Sequence, residues 1–253
     1  MPGRAFVDLV KALLVGTAGL SGALGWSGSF ACLPLGVGVL LCWRASRSRM
    51  EALGVALACY GAAGFDLIEA ASTFFGSSTR GPGVLLWAFA SLLLSLPWAA
   101  LWSPKLRSGV MPRILRGTVL FLVTLLPPFG LIGWANPWVA GGAALPGLGF
   151  GAFALVTVAC LAPDRRTWPA WAATSALVSA FACGRYVPPD PPNWKGLPTQ
   201  RSTPGEDFTQ QYERAADMWG RAANVNADVV LFPEGVGDAW TPSVASLWAL
   251  EAQ

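Results

Sequence analysis

Apolar residues come in seven long runs over roughly the first 185 positions, and charged residues are concentrated in the gaps between them and in the polar tail that follows. A chain patterned this way has too little polar surface to cover its apolar runs in water, so helices that cross a bilayer are the fold it predicts. A span needs about 20 apolar residues, with a working range near 17–25. The runs cover roughly 9–26, 28–43, 51–70, 83–102, 114–133, 139–161 and 168–184. The second and seventh are short, and Pro34 interrupts the second. Pro97 and the Pro127-Pro128 pair predict kinks in the fourth and fifth, because proline removes a helical hydrogen bond. Charged residues make up 12% of the chain, half the share of about a quarter found in soluble domains.

The basic residues set an orientation. Arg44, Arg47 and Arg49 follow the second run, Lys105, Arg107, Arg113 and Arg116 the fourth, and Arg165 and Arg166 the sixth, while Arg4 and Lys11 flank the first. The opposite loops hold only Arg80. Positive charge stays inside, so the N-terminus is expected in the cytoplasm. An odd number of spans then carries the tail to the far side, which is the periplasm for a multi-pass protein of a bacterial inner membrane. Of the thirteen tryptophans, Trp26, Trp43, Trp102, Trp134, Trp138 and Trp168 lie at run ends, where an interfacial belt favours them. Asp66 and Glu69 near the outer end of the third run are either a solvated helix end or a contact for substrate or headgroup.

Histidine is absent, which removes His-based triads and His-ligated metals. The five cysteines sit in or beside apolar runs without a C-x-x-C pair, and they read as small hydrophobes. No metal or cofactor is expected. The net charge of +3 is too small to suggest a nucleic-acid partner. No inverted repeat of the kind transporters carry is visible.

The tail divides into a proline-dense linker over 186–205 and a segment over 206–253. Within the linker, Trp194-Lys-Gly-Leu-Pro-Thr-Gln200 fits a short edge strand or a surface turn. Thr203-Pro-Gly-Glu206 has the form of a capping box with proline at the first helical position. Phe208, Tyr212, Ala215, Ala216, Trp219 and Ala223 recur at helical spacing on one apolar face. After a turn at Asn224–Ala227, Val229-Val-Leu-Phe232 reads as a buried parallel strand, ended by Pro233, with Glu234 delivered at its carboxyl end. A carboxylate there is a salt-bridge partner or a catalytic base.

Ala227-Asp-Val-Val-Leu-Phe-Pro-Glu234 resembles the first catalytic motif of the nitrilase, or carbon–nitrogen hydrolase, superfamily. A multispan domain in front of it is the order of one branch, the apolipoprotein N-acyltransferases. Gly133-Trp-Ala-Asn-Pro-Trp138 with Ala143-Ala-Leu-Pro-Gly-Leu-Gly149 is similar to a stretch of that branch. The nearest likeness is to the TraB-type membrane proteins of conjugative plasmids. The resemblance implies a polytopic α-helical membrane domain over 1–185, followed by the first part of an α/β nitrilase-like domain over 206–253. It also implies acyl transfer from a phospholipid to a lipoprotein amino terminus through a Glu-Lys-Cys triad. The Cys is then the nucleophile, the Glu the general base, and the Lys an oxyanion stabiliser.

Only Glu234 matches that triad, because neither Lys nor Cys follows it. The chain therefore reads as C-terminally incomplete against that family, or as a short relative without catalysis. By itself it is expected to lack acyltransferase activity. The alternative is a non-enzymatic accessory protein of conjugal transfer, whose partners are the conjugation machinery rather than a lipid acyl donor.

Overall fold

Glycine and proline decide where the helices stop. The computed structural model describes residues 4–74, 80–107, 109–132, 135–164, 166–187, 193–197, 207–232 and 246. The chain forms two units, Met1–Tyr186 and Val187–Gln253. The first unit begins with α1 (Arg4–Gly25), a 3-10 turn (Phe30–Val37) that contains Pro34, and α2 (Gly38–Ala45). Next come α3 (Arg49–Ala63), α4 (Leu67–Phe74) and α5 (Gly81–Leu101). It continues with α6 (Val110–Leu125), α7 (Phe129–Ile132), α8 (Pro137–Gly142), α9 (Phe150–Leu161) and α10 (Trp168–Arg185).

This corrects the expectation of about seven spans followed by a nitrilase-like α/β domain. Among the described residues, two helices are long and apolar enough to cross a membrane, Ala5–Gly25 within α1 and Gly81–Leu101. Four of the other runs are interrupted. Pro34 leaves the second as a 3-10 turn plus eight residues of α2. The third breaks at a turn over Gly64, Phe65 and Asp66, and α4 then starts afresh. The fifth ends at Leu125, before Pro127-Pro128, instead of kinking. The sixth is divided by a turn over 143–149 into six-residue α8 and twelve-residue α9. The seventh is one helix of 18 residues, but Thr174, Ser175, Ser179 and Arg185 dilute it. Only the fourth passes a proline intact, with Pro97 inside α5.

Close packing follows from small residues. α3 packs against both α1 and α5, and α4 lies along α5. A methyl at Gly22 of α1 would stand 2.2 Å from the carbonyl oxygen of Cys59 on α3, so no other residue permits that approach. Gly149 caps the start of α9 at φ +51°, ψ −133°, a conformation open to glycine alone.

The core of this unit is aromatic. Trp43, Trp98 and Trp138 are fully buried. Trp98 meets Trp43 edge to face at 5.8 Å and lies 6.0 Å from Trp138, which in turn packs 5.4 Å from Phe121. Each indole N–H is satisfied, as burial requires. Trp43 Nε1 donates to the Trp98 carbonyl at 2.8 Å, Trp98 Nε1 to Tyr60 Oη at 3.2 Å, and Trp138 Nε1 to Thr157 Oγ1 at 2.9 Å. The interfacial-belt reading is therefore corrected for Trp43, Trp102 and Trp138, which are core residues.

The second unit contains α11 (Phe208–Ala223) and a two-stranded parallel sheet. Its strands are β1 (Trp194–Gly196) and β2 (Val229–Leu231), with Trp194 opposite Val229 and Gly196 opposite Leu231. Asn193 anchors the pairing: its carbonyl accepts from the Asp228 and Val229 amides, and its side-chain amide bonds the Asp228 carboxylate. The strand β2 is half-buried to exposed rather than buried, with Leu231 49% accessible. α11 starts at Phe208, and the expected capping box at Thr203-Pro-Gly-Glu206 lies outside the described residues. Its capping box is Asp207 with Gln210, whose backbone and side-chain groups bond reciprocally at 2.9 and 3.2 Å. The inward positions of α11 include Met218, the most buried, with Ala215, Ala216, Trp219 and Ala222 partly buried, whereas Tyr212 and Ala223 are exposed.

Candidate functional site

Charge and cavity meet where α9 passes into α10. α9 ends at Leu161, and its last carbonyls have no helical partner. Arg44, in the last turn of α2, supplies one: Nη1 donates to the Cys160 carbonyl at 3.3 Å and Nη2 to the Pro163 carbonyl. A cation at a helix C-terminus also meets the negative end of the helix dipole. Arg116 of α6 does the same for α5, donating to the Leu101 carbonyl at 2.9 Å.

Arg113, buried in the first turns of α6, donates through Nε to the Gly109 carbonyl at 2.9 Å and through Nη2 to Asp164 Oδ1 at 2.7 Å. The Arg113 hydrogen bond, and then its charge, hold the exposed Asp164 carboxyl below the usual carboxylate range. Asp164 in turn organises the loop. Its amide donates to Thr167 Oγ1 at 3.0 Å, and its carbonyl accepts from the Thr167 and Trp168 amides at 3.0 and 2.9 Å. Trp102 Nε1 donates to the Ser46 carbonyl at 3.3 Å. The loops around 44–49, 101–116 and 161–167 thus gather at one end of the unit, where Arg47, Arg49, Lys105 and Arg166 are exposed.

Beside this end lies an apolar cavity of about 260 Å³. Pro34, Val37 and Leu41 line one side, Leu155, Val156 and Cys160 of α9 another, and Trp168, Trp171, Ser175 and Val178 of α10 the third. The cavity is lined almost entirely by apolar groups, and no cluster of three or more His, Cys, Asp or Glu able to hold a metal occurs among the described residues.

Glu234, expected as a general base, lies outside the described residues, as does Pro233 before it. Lys195 is exposed on β1, and the cysteines all belong to the first unit. Asp66 sits exposed in the α3–α4 turn and Glu69 exposed on α4. The basic residues read from sequence as topology markers prove to include three with structural duties, Arg44, Arg113 and Arg116. The Arg113–Asp164 pair, 51 positions apart, has no local sequence signal.

No family model matches the chain. It is 31% identical over 247 residues to conjugal transfer protein TraB of Agrobacterium fabrum, an alignment that covers 94% of this chain and 58% of that protein. The chain is similar to TraB proteins. A second, named probable conjugal transfer protein TraB, from Sinorhizobium fredii, is also 31% identical, over 237 residues that cover 92% of this chain and 59% of the relative. The chain thus spans just under three fifths of the length of the curated relatives it matches. These similarities lend no support to the nitrilase and N-acyltransferase resemblance.

Proposed function

We propose that the chain is a membrane-associated, non-catalytic accessory protein of conjugal transfer, acting with other proteins of the conjugation machinery. The observation that carries this reading is a likeness to TraB proteins that runs along nearly the whole chain rather than over one motif. Membrane association is supported by α1 and α5, whose outward residues are apolar: Phe6, Leu13 and Leu20 on α1 and Leu85 and Phe89 on α5 are each more than half exposed. Surfaces of this kind are seldom left facing water. The gathered basic end suits the anionic side of such a membrane.

Deletion of the reading frame from its conjugative plasmid, followed by mating, tests the proposal. Transfer frequency is expected to fall by at least tenfold and to recover when residues 1–253 are supplied in trans, with the product in the membrane fraction after an alkaline wash. An unchanged transfer frequency in the deletion strain would refute the reading.

A further inference from the structure

We propose that α10 is a hinged wall of the apolar cavity, fixed at its Trp168 end by the arginine-held loop and able to swing away at its Ser179 end. Three observations combine. First, α10 has no buried residue along its 18 positions, yet it forms one whole side of a cavity of about 260 Å³. Its partly buried residues, Ala172, Ser175, Ser179 and Ala182, follow one face, so the packing that holds the helix is light.

Second, the two ends are held unequally. At the start, ionised donors grip the loop: Arg44 bonds the Cys160 and Pro163 carbonyls, and Arg113 bonds the Asp164 carboxylate at 2.7 Å. Further along the helix, among the described residues, the polar grip falls on a single carbonyl, that of Ala144. It accepts from Ser179 Oγ at 2.7 Å, with the Cys183 thiol at 3.9 Å. Hydrogen bonds from charged groups are roughly twice as strong as neutral ones, and a thiol is a weak donor. The neutral end is the one that releases, and Pro163 and Asp164, just after α9, are the hinge.

Third, the chain carries its own reporter. Cys160 lines the cavity and is 7% exposed, while Cys59, 2% exposed, lies on α3 away from it. Swinging of α10 uncovers Cys160 and leaves Cys59 covered.

Alkylation of the purified full chain in detergent micelles with N-ethylmaleimide, followed cysteine by cysteine by peptide mass spectrometry, tests this. Ser179→Ala is expected to raise the Cys160 rate about fivefold, the effect of one neutral hydrogen bond. Ser179→Thr, which keeps the hydroxyl, is expected to stay near the wild-type rate, and Cys59 is expected to be unaffected throughout. Ser175→Leu, which fills the cavity from the α10 side, is expected to slow Cys160 alkylation. The proposal is overturned if Ser179→Ala leaves Cys160 at its wild-type rate or raises Cys59 in parallel, the mark of global unfolding. Failure of Ser175→Leu to protect Cys160 overturns it too.

Discussion

Asp164 is surface-exposed, yet it sets the geometry of the loop that joins α9 to α10. Its carboxyl is held low by the hydrogen bond and charge of Arg113, so the folded chain takes up this proton less readily than the unfolded one. A depressed carboxyl pKa contributes stability above the unfolded value and loses it as pH falls through the folded value. Protection of the Thr167 and Trp168 amides against hydrogen exchange is therefore expected to hold steady from pH 7 to about 4, near the ordinary Asp value, and to fall below that. In Asp164→Asn that acid step should be absent, and a step that persists in this variant would assign it to another group. None of this was legible in the sequence. Arg113 and Asp164 counted there as charges in two loops, and only the fold shows that one is buried and the other is its partner.

At the scale of helices, the contact between α1 and α3 is made by what Gly22 lacks. Gly22→Leu is expected to force the helices apart, at a cost toward the upper end of the roughly 1–3 kcal/mol typical of overpacking. A lower midpoint in thermal unfolding followed by circular dichroism is the measurement, and an unchanged midpoint would show that α1 does not pack there. Element positions were partly readable. α1, α5 and α10 coincide closely with the first, fourth and seventh apolar runs. The remaining runs misled because hydropathy sums composition and ignores continuity of hydrogen bonding. Pro127-Pro128 and the turn through Pro146 and Gly149 leave an apolar average intact while ending the helix. On α11 Asp207-x-x-Gln210 forms a capping box, a pattern the sequence also carries, whereas Thr203-Pro-Gly-Glu206 lies outside the described residues.

For the whole molecule, the proposed accessory role can be tested at Glu234, the carboxylate singled out by the sequence. In a conjugative plasmid carrying Glu234→Gln, transfer frequency is expected to equal that of the wild type, and a tenfold loss would restore a catalytic reading of that carboxylate. The keyed contact between the first and third helices also bears on which edits a lineage can accept. Gly19 rests 3.7 Å from Ala58, as measured from a methyl built on it, and Gly22 meets the Cys59 backbone. A codon gained between those two glycines would turn one of them by about 100° relative to the other. Only one contact could then be kept. Related genes should therefore vary in the letters of this stretch far more freely than in its length.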